Sequence, residues 1–176
     1  MPGRGSVIWR DWYTHDVAVD EDVFVTFAAP LSHINVHVRD GSIILLHAKP
    51  GYTIKETREG PYSLLVSLTR DGLASGTAYI DDGVSNPPGP HRILKFSSSL
   101  QEVVVISENN DNSNNNNFKV EQKLMEVTIL GVDSKPSMVW LNGQELDNWT
   151  YAEAQRKLVA LEIDADLNVP LRLKWV

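Results

Sequence analysis

The 176-residue chain contains no cysteine, which excludes disulfides and thiolate metal sites. No apolar run approaches the ~20 residues that span a bilayer as a helix. The opening residues, MPGRG, lack the apolar core of a signal peptide, so none is expected there. Basic clusters are missing too: 16 Lys and Arg stand against 23 Asp and Glu, a net charge of −7. That balance argues against nucleic acid and against an anionic membrane as partner. There is no G-x-S-x-G, no phosphate loop and no dinucleotide fingerprint, so no cofactor is implied.

What is present is a chain with 42% hydrophobic residues, enough for a real core in one domain or two small ones. The most ordered pattern runs from Pro30 to Leu46. Ile34, Val36 and Val38 alternate with His33, Asn35, His37 and Arg39, the period of a half-buried strand with three aliphatics facing a core. Asp40-Gly41 supplies a turn, and Ile43 to Leu46 begins a fully apolar strand.

Residues 7–19 (VIWRDWYTHDVAV) read as a strand and turn, and Asp20-Glu21-Asp22 as an acidic surface turn. Val23, Val25 and Phe27 alternate as another strand before Pro30. Pro50-Gly51 and the polar KETREGPYS mark a long connection or domain boundary. Leu64 to Leu68 is a buried-type strand; Arg70-Asp71-Gly72 turns it back into Gly76 to Ile80 as a hairpin. Leu94 to Phe96, Val103 to Ile106, Lys123 to Gly131, Met138 to Leu141, Leu158 to Ile163 and Leu171 to Trp175 are further strands. Asn142-Gly143 is the favoured signal for a two-residue type I′ hairpin. Thr150 to Glu153 fits a capping box, but the run after it is short, so one turn is expected there. Residues 109–117, NNDNSNNNN, have nothing to bury and are expected to be a disordered loop. Strands about every 10 residues with Gly, Pro and Asn punctuation predict an all-β fold of antiparallel β-sandwich type.

Candidate chemistry is sparse. Asp81 and Asp82 are neighbours, whereas glycosidic hydrolysis needs two carboxylates ~5–10 Å apart across the bond. Asp-Asp-Gly is also ordinary turn chemistry. His33 and His37 have a metal-ligand spacing on a helix, but on a strand they sit ~13 Å apart. Asp164, Asp166 and Asn168 imitate the opening of a calcium loop, yet Val169 and Trp175 occupy its glycine and bidentate glutamate positions. No metal is therefore expected. Trp12, Tyr13, Trp140 and Trp149 are candidates for stacking on sugar rings, but filling of a core or an interface is the favoured reading of such aromatics. Asn148-Trp149-Thr150 is an N-glycosylation sequon.

Several stretches resemble the carboxy-terminal region of glycoside hydrolase family 31 α-glucosidases, especially fungal ones. Arg10-Asp11-Trp12-Tyr13-Thr14 is similar to the family's W-Y-D-W-Y-T strand, and residues 29–44 to A-P-L-x-H-I-P-V-H-x-R-G-G-S-I-I. Residues 76–85 resemble G-x-L-Y-L-D-D-G-x-S, and the ending from Asp166 to Trp175 resembles D-L-N…L-x-W. The matches are collinear and cover nearly the whole chain. The resemblance implies a partial proximal β-sandwich over residues 1–48 and a distal β-sandwich over residues 49–176. Both would follow a catalytic (β/α)₈ barrel that carries the nucleophile and acid/base aspartates. Neither barrel motif is in this chain, so no catalytic residue is assigned. The implied role is a non-catalytic brace for that barrel, in cis or as a separate chain, with α-glucan as a possible ligand and a parent enzyme that is secreted or in the secretory pathway. A free-standing carbohydrate-binding module and an inactive remnant are the alternatives. Two departures stand out: Asp40 replaces the first of two glycines, and Leu45 replaces a proline. An aspartate forced to φ > 0 at that glycine would be strained.

Overall fold

The computed structural model describes residues 5–20, 24–87, 89–99, 101–108 and 118–176. The expected loop at 109–117, and Glu21, Asp22 and Val23, lie outside the described residues. The structure is built almost wholly of strands. These are β1 (Trp9–Asp11), β2 (Val17–Val19), β3 (His37–Arg39), β4 (Ser42–His47), β5 (Tyr62–Ser67), β6 (Ala74–Ile80) and β7 (Arg92–Ser99). They continue with β8 (Glu102–Ser107), β9 (Lys123–Leu130), β10 (Val139–Leu141), β11 (Gln144–Glu145), β12 (Trp149–Ala152), β13 (Lys157–Asp166) and β14 (Leu171–Trp175). One short helix, α1 (Ile54–Glu59), lies between β4 and β5.

An 11-stranded sheet has the order β11-β10-β14-β8-β7-β6-β4-β5-β9-β13-β12. At its middle β4 and β6 are joined by a single parallel bridge, Ser42 to Ser75. The sheet doubles over at that bridge into two layers. Ile43, Leu64, Val66, Val127 and Ile129 of one layer share a buried cluster with Leu94, Phe96, Val103, Val105, Leu171, Leu173 and Trp175 of the other. This is the all-β sandwich that the strand spacing predicts. Leu171, Leu173 and Trp175 face the core while Arg172 and Lys174 face out, the strict alternation of a one-sided strand. Gly76 sits where the two layers meet: a Cβ there would lie 2.0 Å from the Ile43 carbonyl oxygen.

A second sheet, β2-β1-β3, covers the outer face of β4, β5 and β9. Val38 packs there with Leu65 and Leu130, and Trp12, Ile44 and Leu46 close around them. Because β4 pairs with β5 along its whole length, residues 1–48 and 49–176 share a continuous ladder.

Four local expectations are corrected. Of the three alternating aliphatics only Val38 is in a core, at 4% exposed; Ile34 is 77% exposed and Val36 37%. The strand is only His37–Arg39, because β1 is too short to carry the ladder further than Trp12, whose amide donates to the Val36 carbonyl at 3.0 Å. Residues 24–30 form no strand, since no described segment pairs with them. The chain does turn at residues 69–72, but β5 and β6 are not paired; β6 crosses to the other layer and pairs with β7. The capping-box pattern at Thr150 forms a strand, because β12 pairs residue for residue with β13 from Trp149 to Ala152. The helix is in the stretch read as a connection, where Thr53 and Glu56 make a complete capping box.

Candidate functional site: an apolar stripe and a cleft

Two surface features stand out from the folded core. The first is the segment that should have been a strand. Phe24, Val25, Phe27, Leu31, Ile34 and Val36 all expose large apolar side chains, Leu31 and Phe24 almost completely. The segment is nevertheless held in place. His33 N–H closes a turn on the Pro30 carbonyl at 3.0 Å, Asn35 Nδ2 donates to the Ala28 carbonyl at 3.0 Å, and the Tyr13 hydroxyl donates to the Ile34 carbonyl at 3.1 Å. Tyr13 packs on His33 and Phe27 on His37, with ring centres 5.1 and 4.8 Å apart. The result is a fixed apolar surface. Exposed apolar side chains concentrated in one segment are a feature of interaction sites.

The second feature is a cleft of about 510 Å³ between α1, the start of β5 and the end of β6, lined by Ile54, Tyr62, Ile80, Val84 and Phe118 with Lys55, Arg58, Glu59, Asp81, Asp82 and Gln122. The capping box of α1 sets its geometry. Thr53 Oγ1 accepts from the Glu56 amide at 3.1 Å, and Glu56 Oε2 accepts from the Tyr52 amide at 2.8 Å and the Thr53 amide at 3.3 Å. Arg58, at the last turn, is thereby aimed at β6, where Nη2 donates to the backbone carbonyl and to Oδ1 of Asp81. Gly83, at φ +70°, lies directly beneath that guanidinium, in space a side chain would need.

Asp81 and Asp82, the adjacent carboxylates, go separate ways. Asp81 Oδ1 faces Arg58 and accepts from the Gly83 amide at 2.8 Å. Asp82 Oδ1 accepts from the Val84 and Ser85 amides, both at 3.0 Å, and Oδ2 accepts from the Ser85 hydroxyl. These donors hold the Asp82 carboxyl at about 2, with the Ser85 bonds as the largest cause. A general acid needs the opposite shift, upward into the working pH range. The arrangement is a rigid turn, and its chemistry is that of a fixed negative charge.

The other residues singled out in the sequence are scattered. Trp12 packs beneath the small sheet against the second core cluster, and Tyr13 is exposed beside His33. Trp140 lies on β10, opposite Glu145 and Lys174. Trp149 lies on β12, packed against the main core and lining a shallow cleft with Met138, Leu146 and Tyr151. Only Trp12 and Tyr13 share a location. His33 and His37 are each stacked on a different ring. Asp166 and Asn168 bond to one another, and Asn168 clamps Val120 by both its amide and its carbonyl. Asn148 is exposed, with Nδ2 donating to Glu162 at 2.9 Å.

Asp40 is not strained. The left-handed residue of its turn is Gly41, at φ +70°. Asp40 is instead a buried charge, 7% exposed, close to the Arg10 guanidinium, which is 3% exposed. Burial pushes Arg10 below its ordinary value, and the Asp40 charge opposes that shift. Arg10 Nη1 donates to Ser67 Oγ at 2.8 Å, tying β1 to β5. This pair, and Arg58 in the cleft, escaped the sequence reading. Thr53-x-x-Glu56 was the available signal for the helix that presents Arg58.

No family model matches the chain. An uncharacterized family 31 glucosidase of Schizosaccharomyces pombe is 36% identical over 176 residues, covering 99% of this chain and 17% of the relative. An α-glucosidase of the same yeast is 37% identical over 160 residues, and one of Aspergillus niger is 40% identical over 147. This chain is a relative of one portion of the family 31 glucosidases. It spans about a sixth of the length of these relatives. Among solved structures, a glucosidase II α subunit superposes with a TM-score of 0.77 at 18% identity, covering 97% of this chain and 20% of that one. At that identity the superposition speaks for the fold, and the fold agrees: the chain is a β-sandwich, antiparallel except where β5 runs parallel to β9 and at the β4–β6 bridge, carrying a small three-stranded antiparallel sheet.

Proposed function

We propose that this family 31 portion is the non-catalytic carboxy-terminal sandwich region of an α-glucosidase, and that it braces the catalytic barrel. The barrel, in cis or on a separate chain, hydrolyses the α-glucosidic bond and meets the glucan. Residues 1–48 belong on this reading to a proximal sandwich and residues 49–176 to a distal one. The observation that carries the proposal is the apolar stripe of residues 24–36. Ile34 and Val36 have the alternation of a half-buried strand, yet Ile34 and the neighbouring Leu31 face solvent. Burying each such side chain stabilises by about 1.5–3 kcal/mol. A surface of this composition, held by one backbone turn and by side-chain bonds from Asn35 and Tyr13 to its carbonyls, is suited to a preformed apolar partner rather than to a soluble sugar.

The test is a chimaera in which this chain replaces the matching portion of the S. pombe family 31 glucosidase, assayed on a chromogenic α-glucoside. Turnover is expected from the chimaera and none from the isolated chain. Leu31→Asp with Ile34→Asp is expected to leave the isolated chain folded and to abolish chimaera activity. Full activity in that double variant, or turnover by the isolated chain, refutes the proposal.

A further inference from the structure

The cleft between α1 and the β6 end is built by different elements from the stripe, and its chemistry is different. Its walls are apolar, with Ile80 and Tyr62 buried at the base. On its rim Ile54 and Val84 are 80% and 85% exposed, among the most solvent-accessible hydrophobic side chains described. A small solute seated in the cleft would leave those two largely in water, whereas a polypeptide segment crossing it would cover them. A sugar is a poor fit for a second reason. Tyr62 is buried and stacked on His47, so it offers no open ring face, and Arg58 and Asp81 are already bonded to each other.

The charges decide what kind of segment fits. Lys55 pairs with Glu59 at 3.9 Å and Arg58 with Asp81 at 3.4 Å. The charge left over is Asp82, whose oxygens are oriented by neutral donors, the Val84 and Ser85 amides and the Ser85 hydroxyl. Neutral donors fix the carboxylate in place without cancelling its charge. A fixed anion beside an apolar cleft complements an apolar group with a cation next to it. The chain's net charge of −7 favours approach of such a partner as well.

We infer that the cleft between α1 and the β6 end docks a polypeptide segment that presents a bulky apolar side chain next to a lysine or arginine. The apolar side chain enters between Ile54 and Val84, and the cation meets Asp82. The inference goes beyond the bracing role and does not depend on it, since no residue of the stripe lines the cleft.

The experiment titrates the isotope-labelled full chain with two capped peptides, Gly-Leu-Arg-Gly and Gly-Leu-Glu-Gly, following backbone amide signals by NMR. The arginine peptide is expected to move the Ile54, Ile80 and Val84 signals saturably and to bind about tenfold tighter than the glutamate peptide. Asp82→Asn retains an oxygen acceptor for the Val84 and Ser85 amides, so the turn is kept while the charge is lost; the tenfold preference is expected to vanish. Ile54→Ser, on an exposed position, is expected to weaken both peptides at least fivefold. Equal binding of the two peptides, a preference that survives Asp82→Asn, or no shift at these residues overturns the inference. None of these outcomes bears on the chimaera test, which reads the stripe.

Discussion

Replacing Asp40 by asparagine should cost this sandwich more than replacing Arg10, the buried cation near it. The two side chains are 7% and 3% exposed, and Arg10 connects the small sheet to β5 through Ser67 Oγ at 2.8 Å. They do not meet as an ion pair; the Asp40 charge acts on Arg10 through space, opposing the effect of burial. Losing that charge is expected to cost about 1–3 kcal/mol. Asp40→Asn leaves behind a guanidinium whose Nε has no hydrogen-bond partner, so nothing offsets the loss. Arg10→Met loses the same attraction and the Ser67 bond, worth about 1 kcal/mol, but it also removes the unsatisfied Nε, a relief of about 1–3 kcal/mol. The net cost is expected near 1 kcal/mol. With a urea slope of about 2 kcal/mol/M, the midpoints fall by about 0.5–1.5 M for Asp40→Asn and about 0.5 M for Arg10→Met. The double variant should be less destabilised than the sum of the singles by about 1–3 kcal/mol. Urea titration followed by tryptophan fluorescence reads all three. A midpoint change below about 0.3 M for Asp40→Asn, or strict additivity in the double variant, refutes the attraction.

Gly76→Ala places a Cβ 2.0 Å from the Ile43 carbonyl oxygen and should cost about 2 kcal/mol or more in thermal melts. Gly143→Ala, at φ +83° with open space around it, should cost only about 1–2 kcal/mol from backbone strain; a larger loss there than at Gly76 would contradict the close approach. The folded Asp82 carboxyl is depressed to about 2, below its ordinary value of 3.8, so it contributes stability above pH ~4 that is lost as the pH falls toward 2. Carboxyl NMR should titrate it near 2, and Ser85→Ala should move it up; an unmoved midpoint would assign the shift to another cause. In hydrogen exchange, the three-residue strands β1 to β3 should open at lower free energy than β5 and β9, which are longer and paired on both sides; uniform protection would contradict this. Asn148 and Thr150 are exposed while Trp149 packs on the core, and glycosylation would leave Nδ2 one N–H to donate to Glu162. Secretory expression in a eukaryotic host should add a glycan mass that Asn148→Gln removes; an unmodified wild-type chain would refute that assignment.

The strands that could be read from the sequence are those whose partner lies close by or whose side-chain period is uninterrupted. Asn142-Gly143 sits at φ +51° and +83° between β10 and β11, as the type I′ signal requires. β14 keeps its alternation to the last residue. The errors have a common origin. A turn at residues 69–72 says that the chain reverses, but the neighbour β6 acquires is β7, in the opposite layer. Thr150 and Glu153 carry a helix-start pattern, yet four residue pairs with β13 outweigh a helix of marginal length. Arg10 and Asp40 lie thirty positions apart, and nothing in either residue's surroundings announces a buried pair.

Residues 24–36 differ from these cases, because here the apolar spacing of a strand is present while both the strand and its burial are missing: the segment lies outside every ladder of the described residues. Alternation specifies that one side of a segment is to be covered; it does not specify that the cover is in the same chain. Leu31 and Ile34 are exposed even though the Tyr13 hydroxyl, Asn35 and the turn at Pro30 hold their backbone fixed. A segment merely lacking a core would have no reason to fix its backbone while leaving its large side chains in water, since ordering each residue costs about 1–2 kcal/mol. Order without burial is what a preformed interface needs, because a surface already rigid loses less entropy when its partner arrives. The same reasoning separates the stripe from the cleft at α1. There too the capping box and the Arg58–Asp81 pair fix the frame, and Ile54 and Val84 remain exposed on it. On the two proposals these surfaces serve separate contacts, and variants in one should leave the other intact.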